Sequence, residues 1–346
     1  MTLVSPFRAA AVVTRGEGID AWHGAAAAVV DGGGCVTHAL ADAELITFTR
    51  SAIKPLQALP LCLTGACDTL GIDDDELALA TASHDGGGMQ REVALSLLAK
   101  AGAHEEQLGC GAHWPIGMRI RGLYPAAGED RDPLRHNCSG KHAGFLALAR
   151  TLGVPPERYL DPDSAVQRAV KRAVADACEI DEADLRNGTD GCSAPNFAMP
   201  LSALARAFKN LATGDPAGTP LDAALARVRA AMQAHPQLVS GPTRFDYELA
   251  HAFAGRAVCK GCAEGLIAIG FSDPPLGIAV KVLDGAERAL APVCLAILDE
   301  LGLVDDGARA ALAHRVRPLV TNYRGTETGA IVATGPLLTA HETPSD

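Results

Sequence analysis

The placing of apolar runs along this chain constrains its fold more than any other feature. Short runs suited to strands open it at 9–13 and 25–30, with Gly32, Gly33 and Gly34 forming a turn between Val30 and Val36. A long middle stretch then carries apolar residues at helical spacing with charges between them, at 76–82, 92–101, 143–152, 165–178, 201–211 and 221–232. Near the end, runs at 266–271 and 276–283 flank Ser272-Asp273-Pro274-Pro275, a loop that no helix would contain. Those two runs pair as an antiparallel hairpin, and a further helix follows at 288–301. Strands at both ends around a helical middle predict an α/β (α+β) fold. One sheet would draw on both chain ends, with a helical lobe over about 70–255, in one domain of residues 1–346.

Composition narrows the class. Hydrophobic residues make up 48% of the chain and charged residues 21%, enough to bury a sizeable core. The formal net charge of −11 argues against a nucleic-acid binder, which needs a basic face. The acidic cluster at 73–76 is short and reads as the opening turn of a helix. The opening MTLVSPFRAAAVVTRG has neither the apolar stretch nor the cleavage site of a signal peptide. Nowhere do about 18 apolar residues run uninterrupted, so no membrane span is read. Ten scattered cysteines without a signal peptide read as thiols in a reducing compartment, and a cytoplasmic setting is expected.

Two constellations could carry chemistry. The first is Ser51-Ala52-Ile53-Lys54, preceded by Arg50. Helical positions i and i+3 share a face, so the hydroxyl and the amine can meet, and a neutral lysine can take the serine proton. S-x-x-K alone is common in surface helices. Ser83-His84-Asp85 before a glycine-rich turn, and Lys260-Gly261-Cys262 before the hairpin, strengthen the functional reading. In order, the three loosely echo the S-x-x-K, S-D-N and K-T-G set of serine β-lactamases and penicillin-binding proteins.

The second constellation is Asn137-Cys138-Ser139-Gly140-Lys141-His142 with Asp190-Gly191-Cys192-Ser193. Two thiolates and a nitrogen would suit a zinc ion with one open position. Spacing alone leaves open a pair of buried thiols that bind nothing. Four-cysteine spacing is absent, which excludes a structural zinc finger.

The stretches HNCSGKHAGFLALA and NGTDGCSAPNFAMPL strongly resemble signature segments of the rhizobial-type L-asparaginases, the asparaginase II family. The likeness extends to RSAIKPLQALPL, TASHDGG, GPTRFDYELA, KGCAEG, LGIAVKVLDG and VVTRG with His23, and so covers nearly the whole chain. The resemblance implies a fold similar to serine β-lactamases and glutaminases, a homodimer, and hydrolysis of the side-chain amide of L-asparagine. It also implies two Ser–Lys tandems, Ser51 with Lys54 and Ser83 with Lys260, and zinc held by Cys138, Lys141 and Cys192. His142 is the conventional ligand alternative, or a residue behind the ligands.

The chain departs from the family pattern after Ser83-His84. There a Glu-Pro pair and a histidine are usual, and Asp85-Gly86-Gly87-Gly88-Met89-Gln90 stands instead. Ser193 and Cys262 stand where glycine is common. Arg244, heading a helix, is a candidate to clamp a substrate carboxylate, Asp190 to orient a ligand or the substrate ammonium, and Arg50 and His142 for further substrate contacts. The C-x-x-C of Cys259 and Cys262 lies among strand residues and is not read as a redox pair. Cys35, Cys62, Cys67, Cys110, Cys178 and Cys294, with His104, His235, His251 and His314, read as structural or incidental. Rival functions are a glutaminase, a β-lactam or peptide hydrolase on the same scaffold, or a zinc- or thiol-based binding protein without catalysis.

Overall fold

A computed structural model describes residues 8–123 and 131–341. The strands are β1 (Ala9–Arg15), β2 (Gly18–Val30), β3 (Val36–Leu40), β4 (Ile46–Phe48), β5 (Arg186–Thr189) and β6 (Pro195–Pro200). They continue with β7 (Ala257–Cys262), β8 (Leu266–Ser272), β9 (Pro275–Val282), β10 (Leu319–Thr321), β11 (Glu327–Ala333) and β12 (Thr339–Ala340). The larger sheet runs β10-β11-β1-β2-β9-β8-β7, with β3 and β12 joined beside β2. Every pairing in it is antiparallel, and the expected hairpin is β8–β9, in register from Leu266 opposite Lys281 to Ser272 opposite Pro275. Both chain ends therefore supply the sheet, as the apolar runs predict.

The sheet is covered on both faces, which explains why β2 reads as a continuous apolar run rather than an alternating one. Ala26, Ala28 and Val30 pack into the core shared with the helical lobe. Ala25, Ala27 and Val29 face the Glu287–Glu300 helix in a second core. On the lobe side the Leu201–Thr213 helix lies so close that a Cβ at Gly277 would sit 1.9 Å from the Ala205 carbonyl oxygen.

The lobe holds Lys54–Leu63, Asp74–Ala80, Gly88–Ala101, Ser139–Leu152, Ala165–Cys178 and Pro220–Ala234. The acidic cluster does open a helix: Glu76 N donates to Asp73 Oδ1, and Asp73 N to Glu76 Oε2. The second and third of the six sequence-read helices begin four residues before their periodic stretches. Their first turns, Gly88-Met-Gln-Arg and Ser139-Gly-Lys-His, are not apolar in pattern.

The lobe is not wholly helical. β4, β6 and β5 form a three-stranded sheet inside it. β5 is polar and β4 spans only three residues, while the nearly fully buried β6 shows no alternation to read. The short strands β10, β11 and β12 were likewise not foreseen. Among the described residues no helix is long and apolar enough to cross a membrane.

Candidate active site

The serines and lysines converge where the lobe meets the β7 edge of the larger sheet. Ser51 lies in a 3-10 turn, Arg50–Ile53, that runs straight into the Lys54–Leu63 helix. Arg50 is held in the left-handed region at φ 47°, a strained conformation for a side chain of its size. Asn196 fixes that corner, accepting from Arg50 N at 3.1 Å and donating to Arg50 O at 3.0 Å. The Arg50 Nε then donates to Asp190 Oδ1 at 2.9 Å.

Ser51 and Ser83 both face a cavity of about 650 Å³, with Arg50, Asp190, Cys138, Cys192 and Arg244 also in its wall. Lys54, Lys141, Lys260 and His142 stand behind that wall, each at most 2% exposed.

The hydrogen bonds pair these groups differently from the tandems implied by resemblance. Lys54 Nζ lies 2.9 Å from Ser83 Oγ, 2.6 Å from the Ala82 carbonyl and 3.1 Å from Cys138 Sγ. Ser51 Oγ is not among its partners. Burial above all, with the charges of Lys141 and Lys260, pushes the Lys54 amine below its ordinary value, against the pull of Cys138 and Cys192. A neutral amine has two N–H groups for the Ala82 carbonyl and Cys138, and a lone pair for the Ser83 hydroxyl. In that state Lys54 is a base aimed at Ser83.

His84 beside it is fully buried and neutral. Its Nδ1 accepts from Gly86 N at 3.1 Å, so its Nε2 proton points to Ser139 Oγ at 2.9 Å. Burial, then Lys54, drives its pKa well down. In the divergent segment that follows, Asp85 Oδ1 is buried without a hydrogen-bond partner among the described residues, and burial raises its pKa.

The Ser139–Leu152 helix brings Cys138, Lys141 and His142 together. Its first turn packs so tightly that a Cβ at Gly140 would lie 2.3 Å from the Leu79 carbonyl oxygen. Lys141 Nζ donates to Cys192 Sγ at 3.0 Å. A hydrogen bond between Cys138 and Cys192 most of all, then Lys54 and Lys141, outweighs burial and holds the Cys138 thiol well below its usual value. Burial opposes the charge on Lys141, but Cys192 and Cys138 prevail and keep it protonated.

Among the described residues, no three or more His, Cys, Asp or Glu side chains are grouped to hold a metal ion. The donor set is instead two thiols and an amine, already pooled around shared protons. Two thiolates and a deprotonated Lys141 amine would suit a zinc ion, which would take the place of those protons. His142 Nδ1 meets Tyr159 Oη at 2.7 Å, while its buried Nε2 has no hydrogen-bond partner among the described residues. Burial lowers its pKa to about 4. It does not line the cavity, so a direct substrate contact is not what the geometry provides.

Sequence reasoning missed Asp246, which sits two residues after Arg244 in a segment already singled out. Lys260, on β7, meets Asp246 Oδ2 at 2.9 Å rather than Ser83, and donates also to the Gly261 carbonyl at 2.9 Å. The same carboxylate accepts from Gly261 N at 3.1 Å and from Ser240 Oγ at 2.6 Å. Burial opposes its ionisation, but Lys260, Arg244 and Ser240 hold its pKa far below the ordinary carboxylate range. Lys260 is thus a fixed, neutralised cation.

His113 and His136 were missed too. Both line the cavity, with ring centroids 4.1 Å apart, and burial lowers His136 to about 3. Neither lies in a motif with ligand spacing, so only the fold brings them in. Asp190 remains ionised because Lys141, Gly191 N and Arg50 outweigh its burial.

The sequence model of the L-asparaginase II family matches residues 11–333. No curated protein matches the chain. Among solved structures, a β-lactamase from Mycobacterium bovis aligns at 15% identity with a TM-score of 0.41, over 80% of this chain and 94% of the other.

Proposed function

From the premise that this chain belongs to the L-asparaginase II family, and so to enzymes acting on amides, we propose that it hydrolyses L-asparagine to L-aspartate and ammonia. The observation that carries the mechanism is Lys54, a fully buried amine hydrogen-bonded to Ser83 at the wall of a cavity that Ser51 also faces. Ser51 attacks the side-chain carbonyl, and its proton passes through Ser83 to Lys54. Lys54 returns that proton to the departing ammonia. Water then attacks the acyl-enzyme by the same route and frees aspartate. Lys260, neutralised by Asp246, fixes β7 against the site and lowers the basicity of Lys54 through space.

The zwitterionic end of the substrate meets Asp190 through its ammonium and Arg50 and Arg244 through its carboxylate. Cys138, Lys141 and Cys192 would hold zinc, which when bound supplies a positive charge that orients the substrate. We place the protein as a homodimer in the reducing cytoplasm, in keeping with ten free cysteines.

A second reading makes Ser83 the nucleophile, favoured by its direct hydrogen bond to the base. Ammonia release from asparagine and glutamine, with nitrocefin turnover alongside, separates the functions when run on the parent, Ser51→Ala and Ser83→Ala proteins. Ammonia from asparagine, abolished in Ser51→Ala, supports the proposal. Turnover intact in Ser51→Ala and lost in Ser83→Ala would transfer the nucleophile to Ser83. No ammonia from any amide in folded, reduced, zinc-supplied protein would sink the reading altogether.

A further inference from the structure

Outside the cavity, one pair of cysteines stands within contact distance. Cys62 is the next-to-last residue of the Lys54–Leu63 helix, and Cys67 is the second residue of the short Ala66–Leu70 helix. The left-handed Gly65, at φ 73°, turns the chain back so that the two sulfurs lie 3.7 Å apart. Cys62 is half-buried and therefore reachable from solvent, while Cys67 is covered. Arg227 reaches this corner, donating to Asp68 Oδ1 at 2.7 Å.

We propose that Cys62 and Cys67 form a reversible disulfide, a modification site separate from the amide chemistry. The two sulfurs are close enough for one thiol to donate to the other. The hydrogen bond from Cys62 chiefly, with the charge of Arg227, holds the Cys67 thiol below its usual range in spite of burial. The same contact and burial raise Cys62. The pair needs one thiolate to attack and one thiol to resolve, and the 3.7 Å contact brings both together. With a hydroperoxide as oxidant, the thiolate attacks the O–O bond, forming a sulfenic acid and releasing hydroxide or alkoxide. The neighbouring thiol sulfur next displaces the sulfenic hydroxyl as water and gives up its proton, leaving Cys62–Cys67 oxidised by two electrons and the peroxide reduced. A dithiol reverses the step.

The remaining thiols are placed differently. Cys110, Cys178 and Cys294 are buried alone and pushed up to about 12 by burial. Cys138 and Cys192 belong to the cavity, and Cys35 is exposed and single.

The test uses the full chain carrying Cys35→Ser, which prevents cross-linking between copies. The protein is treated with hydrogen peroxide, its remaining thiols are alkylated, and it is digested with trypsin. Residues 51–91 hold only these two cysteines, and the bond between Lys54 and Pro55 resists trypsin. The expected result is a 51–91 peptide lighter by two hydrogens and closed to alkylation until dithiothreitol is added. Cys62→Ser should abolish that product, with the far-ultraviolet circular dichroism unchanged. A 51–91 peptide that alkylates fully after peroxide would overturn the proposal, and so would a disulfide confined to Cys138 and Cys192. Ammonia release, read in parallel, reports on the amide chemistry alone and does not enter either outcome.

Discussion

Replacing Asp246 with asparagine tests the buried ion pair with little change in shape. The amide oxygen can still accept from Lys260 and Gly261 N while the amide nitrogen faces Ser240, so the main loss is charge. Lys260 and Asp246 are 0% and 4% exposed at the side chain and 2.9 Å apart, which leaves no solvent to screen them. At an effective dielectric of 20 their attraction is about 6 kcal/mol. Removing one partner of such a pair typically costs about 3–5 kcal/mol, because the other charge stays buried alone. That is a large share of the roughly 5–15 kcal/mol that holds a folded protein. Urea unfolding followed by circular dichroism should show the unfolding free energy lower by that amount, seen as a lower midpoint at unchanged slope. Adding Lys260→Met to Asp246→Asn should restore most of the loss, since an apolar replacement leaves no orphaned charge. A single variant within about 1 kcal/mol of the parent, or a double variant no better than the single, would refute the assignment of Lys260 as a neutralised cation.

Four further outcomes follow from the same geometry. Lys54→Met should lower the rate of ammonia release by about 10³-fold or more while asparagine binding, read calorimetrically, persists. Stability should fall as pH drops from about 6.5 toward 4. The unfolded chain takes up protons there that His136 (lowered to about 3) and His142 (lowered to about 4) refuse, at up to about 1.4 kcal/mol per pH unit each. A melting temperature flat over that range would contradict their burial. The depressed Asp246 carboxyl adds a second loss below about pH 4, the ordinary carboxylate value, where the unfolded chain takes up a proton that the ion-paired carboxylate refuses. Ser193, exposed at φ 68°, should become glycine with a gain of about 0.5–1 kcal/mol, read by thermal unfolding.

What could be read in the sequence was whatever repeats with a period or stands in a recognisable string. The 165–178 helix shows a clean apolar face and was placed residue for residue. β8 and β9 were readable because two apolar runs flank a proline-rich turn. β5 and β6 were not, since one is polar and the other is buried on both faces, and neither alternates. The site follows the same division. Ser51, Ser83, Arg50, Cys138, Asp190, Cys192 and Arg244 stand in strings that mark them, and all line one cavity. Which lysine serves which serine was not legible. A side chain as long as Lys54 chooses its partner in three dimensions, and it reaches Ser83 from 29 residues away. Asp246 was overlooked because an acidic residue in the first turn of a helix ordinarily needs no explanation beyond the helix dipole. Only the fold shows it turned inward onto Lys260.

The interleaving of the two chain ends sets the order in which this protein can be made. β1 pairs with β11 and β2 with β9, so strands emerging early from the ribosome wait for partners that are synthesised hundreds of residues later. The lobe between them, with Ser51, Ser83 and the paired thiols, emerges before those partners and can begin to condense on its helices, while its core is completed only by Ala268 and Ala279 of β8 and β9. Lys260 arrives on β7 afterwards, and β7 has a neighbour only once β8 has emerged. A nascent chain therefore holds its two cavity serines before it holds the cation that completes their surroundings. Amide hydrolysis is the last property this polypeptide acquires, and a ribosome-stalled chain ending before β8 should carry the serines and no activity.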